Sequence, residues 1–94
     1  MESESKNMAN YMIVCTFVPD TEWDAVSAMV AEEQIAAKTL QEEGRLLSVR
    51  VSVKRDKVFL EVVAEDESEV TATVRRLPMS KWWEIDAYQI ASPV

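Results

Sequence analysis

Two constellations in this chain have side chains suited to chemistry: a glutamate within an apolar helical stripe, and an arginine facing a glutamate across a hairpin. Val26, Met29, Val30, Glu33, Ala37 and Leu40 recur at helical spacing in a segment that reads as helix from about Glu22 to Glu43. Glu33 therefore lies on a face otherwise made of hydrocarbon. Burial disfavours an ionised carboxylate and raises its pKa toward the range where a general base works near neutral pH; at the edge of the core the same residue simply reaches water. The stretch LLSVRVSVKRDKVFLEVVAE, Leu46 to Glu65, reads as two strands joined by a charged turn with Arg55 and Asp56 at the tip. That register sets Val53 against Val58, Val51 against Leu60 and Val49 against Val62 on one face. The other face holds Ser48 with Val63, Arg50 with Glu61, and Ser52 with Phe59. A guanidinium keeps its proton, so Glu61 compensates Arg50 while further N–H donors stay available to an anionic ligand. At a solvated edge the same pair contributes only about 0–1 kcal/mol.

The absences narrow the chemistry. The 94 residues contain no histidine, which removes the commonest metal ligand and the usual partner of a serine or cysteine nucleophile. Acid–base work falls to carboxylates, Lys, Tyr or Cys. Cys15 is the sole cysteine, so no internal disulfide forms; with no secretory leader, a reducing cytoplasm is expected. Seventeen acidic against ten basic residues give a net charge of −7, which disfavours nucleic acid, and no apolar run approaches the ~20 residues that span a bilayer. The length suits one domain over residues 11–94, preceded by a loose polar tail at residues 1–10.

These residues need a scaffold. YMIVCTFV, Tyr11 to Val18, is aromatic and β-branched and stops at Pro19, as a first strand does. Thr21 and Asp24 form a weak capping box for the long helix, Ile35 lies off its stripe, and Gly44 ends it. After the hairpin, Asp66 or Ser68 caps a short helix with Val70, Val74 and Leu77 on its apolar edge, closed by Pro78. Trp82 to Ala91 alternates as a last strand, with Trp83, Ile85 and Ala87 on one side and Glu84, Asp86, Tyr88 and Ile90 on the other. Trp82 and Trp83 point oppositely, one to the helices and one to a cavity or subunit contact. The order βαββαβ predicts an α+β ferredoxin-like fold: a four-stranded antiparallel sheet with two helices on one face. Phe59, Val63, Tyr88 and Ile90 then need cover on the far face, since the patch exceeds what a monomer exposes. A second copy packed face to face supplies it as a dimeric α+β barrel.

Two runs, AEEQIAAKTLQEEG (Ala31 to Gly44) and RRLPMSKWWEIDAYQIASP (Arg75 to Pro93), resemble the muconolactone delta-isomerase family in their helix-ending LxxEG pattern and LP-aromatic-strand segment. The resemblance covers about Tyr11 to Pro93. It implies a homodimeric barrel, often built into a decameric ring, and a cofactor-independent proton shift on an unsaturated lactone in aromatic catabolism. Such a shift needs a base, proton return on the same face and a cation for the substrate carboxylate. Glu33 matches the family's helix glutamate. On this reading Glu33 or Glu61 is the base and Arg50 anchors the carboxylate. Ser48 and Ser52 donate to the lactone carbonyl, and Tyr88 and Trp83 line the site. The chain departs from the family at Gln34, where relatives carry a basic residue, near Leu46, where they carry an aromatic one, and in lacking histidine. A different lactone, a non-catalytic binding or assembly module, and a cofactor-free barrel oxygenase remain alternatives.

Overall fold

A computed structural model describes residues 8–91. The β-branched run places strand β1 at Ala9–Phe17, followed by helices α1 (Trp23–Ala28) and α2 (Val30–Glu42). Strands β2 (Leu46–Val51) and β3 (Lys57–Ala64) form the hairpin; helix α3 (Glu67–Val74), a 3-10 turn (Pro78–Trp82) and strand β4 (Trp83–Ile90) complete the chain. The strands lie in the order β2-β3-β1-β4, all antiparallel. This is the expected ferredoxin-like α+β arrangement, with β1 starting two residues before Tyr11. The tail expected at residues 1–10 thus gives Ala9 and Asn10 to the sheet, and the rest of it lies outside the described residues apart from Met8.

One sheet face carries the core. Tyr11, Ile13 and Cys15 sit opposite Val62, Leu60 and Val58 of β3, and opposite Gln89, Ala87 and Ile85 of β4. Leu40 of α2, Val70 and Val74 of α3, and Leu77, Trp82 and Trp83 close over them. Each large aliphatic side chain buried there contributes roughly 1.5–3 kcal/mol.

The helix ends follow their residue types. Gly44 takes φ +78°, and its N–H and that of Arg45 donate to Gln41 and Leu40, a Schellman closure that glycine adopts without strain. Asp66 accepts from the Glu69 N–H at 2.9 Å, and Glu69 accepts from the Glu65 N–H at 2.7 Å, so α3 begins on a reciprocal cap. Arg76 forks onto Glu43 at 2.8 and 2.9 Å, tying the ends of α2 and α3.

Four expectations are corrected. The helix read as continuous breaks at Met29 (φ −101°, ψ 0°); a straight 22-residue helix would run about 33 Å, beyond the ~26 Å of an eight-residue strand such as β3. The Thr21–Asp24 box does not form, because the Thr21 hydroxyl donates to the Val18 carbonyl instead. Trp82 and Trp83 do not diverge: Trp82 belongs to the 3-10 turn and both rings are buried in the same core. Last, the hairpin pairs Val51 with Val58, Arg50 with Phe59, Val49 with Leu60 and Ser48 with Glu61, with a bulge at Leu47. Arg50 therefore does not face Glu61, and Val53, fully exposed, sits in the loop and not opposite Val58. Ser52 decides the register: its N–H donates to the Lys57 carbonyl, its hydroxyl donates to Asp56 and accepts the Asp56 and Lys57 N–H groups. The shift of two residues leaves Ser48, Val49, Arg50 and Val51 on their expected faces, while the bulge turns Leu46 into the core.

Candidate functional site

The helices cover β1 and β3 but leave the edge strand partly open, so Val49 and Val51, expected beneath them, are exposed. A cleft forms there between α2 and the hairpin. One cavity of about 280 Å³ is bordered by Glu33, Gln34, Ala37, Gln41, Val49, Leu60 and Leu77. Another of about 410 Å³ lies toward α1 and the hairpin turn, bordered by Trp23, Val30, Gln34, Val51, Arg55 and Met79, among others. Gln34 borders both. Volumes of this order suit a small organic molecule, and the walls are mostly hydrocarbon and aromatic.

Glu33 stands on this side of the sheet. α2 presents it from the stripe that buries Leu40, and it is half-buried, accepting the Met79 N–H at 2.9 Å. Burial raises its pKa above the ordinary value, and the Met79 N–H partly opposes that. The Cys15 thiol is pushed up to about 12 by burial, with the charge of Glu33 adding and Arg75 opposing, so Cys15 is a neutral core side chain. Glu33 is thus a carboxylate with one fixed hydrogen bond, at the wall of an apolar cleft, with its basicity increased.

The other candidates divide. Glu61 lies on the opposite sheet face and accepts from Asn10 Nδ2 at 2.9 Å. Ser48 and Arg50 share that face with it, as do Met12, Val14, Phe59 and Tyr88, the last 60% exposed. Arg50 has no ion pair among the described residues. Ser52 closes the turn, and its hydroxyl is occupied there. Trp83 is on the helix side, buried, edge-on to Phe17 with centroids 6.0 Å apart; its indole N–H has no partner among the described residues. Glu33 and the Arg50–Glu61 face do not converge on one cavity within a subunit, because the sheet stands between them.

The sequence marks Gln34 and Arg55 only as a helix residue and a turn-tip residue, not as cleft walls, and does not single out Trp23 or Met79. Trp23 packs on Phe17 with centroids 4.7 Å apart, and Met79 arrives from a 3-10 turn that has no periodic signal. A proline after a helix was the only hint of it.

Among the described residues no cluster of three or more acidic, cysteine or histidine side chains could hold a metal, and no helix is long and apolar enough to cross a membrane. What the cleft offers is a proton acceptor beside an apolar wall. A search of curated proteins gives no match to this chain. A family model described as muconolactone delta-isomerase matches residues 10–92, a span that includes α2, both cavities under it and the strand pair behind them. The resemblance carried by the two quoted runs thus extends over nearly the whole fold, and the chain belongs to the muconolactone delta-isomerase family.

Proposed function

We propose that this protein moves a proton on an unsaturated lactone of the muconolactone type, with the cleft beneath α2 as its site and Glu33 as its base. The observation that supports this most is Glu33 itself, half-buried, raised in pKa and held by the Met79 N–H at the cleft wall. Its carboxylate takes the proton from the ring carbon γ to the lactone carbonyl, and the electron pair delocalises onto the carbonyl oxygen. The resulting carboxylic acid returns a proton to the α carbon on the same face, leaving Glu33 ionised again. The apolar wall keeps water from quenching the anion. Glu61 is the rival base; it works only in a chamber that a second copy closes over the open sheet face.

A homodimer, or a larger ring built from dimers, covers that face. Met12, Val14, Phe59, Val63, Tyr88 and Ile90 lie on it, with Arg50 and Asp86 on the edge strands and Glu61 on an inner strand opposite Met12, a largely apolar face that holds one carboxylate near its centre. Binding without turnover is the second reading. It is favoured by Gln34, a neutral amide next to Glu33 at the junction of the two cavities.

Incubation with muconolactone, followed by absorbance, separates these readings. Wild-type protein accelerates the isomerisation, Glu33→Gln lowers kcat about 10²–10⁴-fold, and Glu61→Gln leaves it near the wild-type value. No acceleration at high protein concentration, together with stabilisation by the lactone, supports the binding module.

A further inference from the structure

We propose that Arg55 anchors an anion at the turn end of the α2 cleft, so that the small apolar molecule taken there carries a carboxylate directed toward the hairpin tip. The inference rests on reading the cleft as the ligand site and adds where the ligand's charge goes.

The larger cavity is walled by Phe17, Trp23, Val26, Val30, Val51, Val58 and Met79, with Ser27 and Gln34 as neutral polar groups; Arg55 is its one ionised wall residue. In a chain of net charge −7, a lone cation at an apolar cavity does not reflect general basicity. The Arg55 guanidinium has no hydrogen bond or ion pair among the described residues. Its neighbour Asp56 is already engaged by Ser52 and by Lys57 Nζ at 3.6 Å, which leaves the Arg55 donors for something else. A guanidinium meets a carboxylate through two parallel N–H donors, a geometry lysine cannot reproduce.

The backbone adds a second, independent observation. Arg55 has φ +62° and is the only non-glycine residue at positive φ among those described, in a conformation that glycine or asparagine takes with less strain. Strain of this kind gathers at ligand sites. The turn holding it is fastened on both sides: Ser52 closes the loop, and the Phe17 N–H donates to the Asp56 carbonyl at 3.1 Å. The turn that carries Arg55 is thereby fixed to the end of β1, where Phe17 and Arg55 border the same cavity.

The test is a pair of NMR titrations of ¹⁵N-labelled protein with phenylacetate and with its neutral counterpart phenylacetamide, following the Trp23 indole and Gln34 side-chain signals. Wild-type protein binds the carboxylate about tenfold more tightly than the amide. Arg55→Gly and Arg55→Asn, which suit the left-handed backbone, keep or raise the melting temperature and lose that preference while still binding the amide. Undiminished preference for phenylacetate in both folded variants overturns the assignment of Arg55 and leaves the cleft reading intact. If neither ligand shifts the cleft signals of the wild type, both readings are overturned.

Discussion

Glu33 is ionisable, yet its surroundings are hydrocarbon and one backbone N–H, and this sets opposed demands on stability and activity. Its folded pKa lies above the ordinary 4.5, so folding binds a proton more tightly than the unfolded chain does. The cost of ionising Glu33 in the fold is absent below the unfolded value and fully present above the folded one. Glu33→Gln therefore raises the melting temperature near neutral pH and leaves it unchanged near about pH 3, a comparison thermal denaturation makes directly. For the active protein, the acid limb of kcat/KM falls at a higher pH than an exposed glutamate gives. A limb at or below the ordinary carboxylate value contradicts Glu33 as the base. Glu33 was legible in the sequence because helical spacing alone placed it among Met29, Ala37 and Leu40. The Arg50–Glu61 pair was misread because it depended on a register, and Arg55 was assigned to a turn tip with no function because nothing in the sequence set its backbone conformation.

The helices and turns were legible where a residue type has one dominant mechanical use. Gly44 and Asp66 both end or begin helices as their chemistry dictates. An alanine Cβ at Gly44 meets no atom within 4 Å, so Gly44→Ala loses stability through φ alone, by about 1–2 kcal/mol. Asp66→Ala removes the cap of α3 at about 1 kcal/mol. Chemical denaturation of the two variants measures both, and a neutral Gly44→Ala contradicts the closure described for α2. The hairpin register was not legible because a slip of two residues keeps each face unchanged, leaving the apolar pattern indifferent between the alternatives. The choice fell to the Ser52 hydroxyl, which gathers Asp56 and Lys57. The break at Met29 was equally hidden, since the apolar stripe continues through it and only the finite length of the sheet demands a bend.

Over the whole molecule, the sheet has one face covered by helices except along the edge strand β2, and one left open, where Phe59, Val63, Met12 and Val14 lie around Glu61. This was readable from the first strand, whose apolar residues occupy both alternations, and from the order of elements. Which face carries a cleft was not, because that depends on how far α2 extends over the edge strand. Phe59→Asp puts a charge at the centre of the open face without touching the core, and sedimentation should show a dimer or larger assembly of the wild type falling to monomers. A wild-type protein that sediments as a monomer contradicts that assembly but leaves the α2 cleft in place. Whether one carboxylate moves one proton inside that cleft is read most directly from the hydrogen content of the product formed from muconolactone in deuterium oxide. A single sheltered Glu33 predicts product that keeps part of the original hydrogen at the new α position, and loss of turnover in Glu33→Gln. Complete deuteration with turnover intact in Glu33→Gln contradicts it.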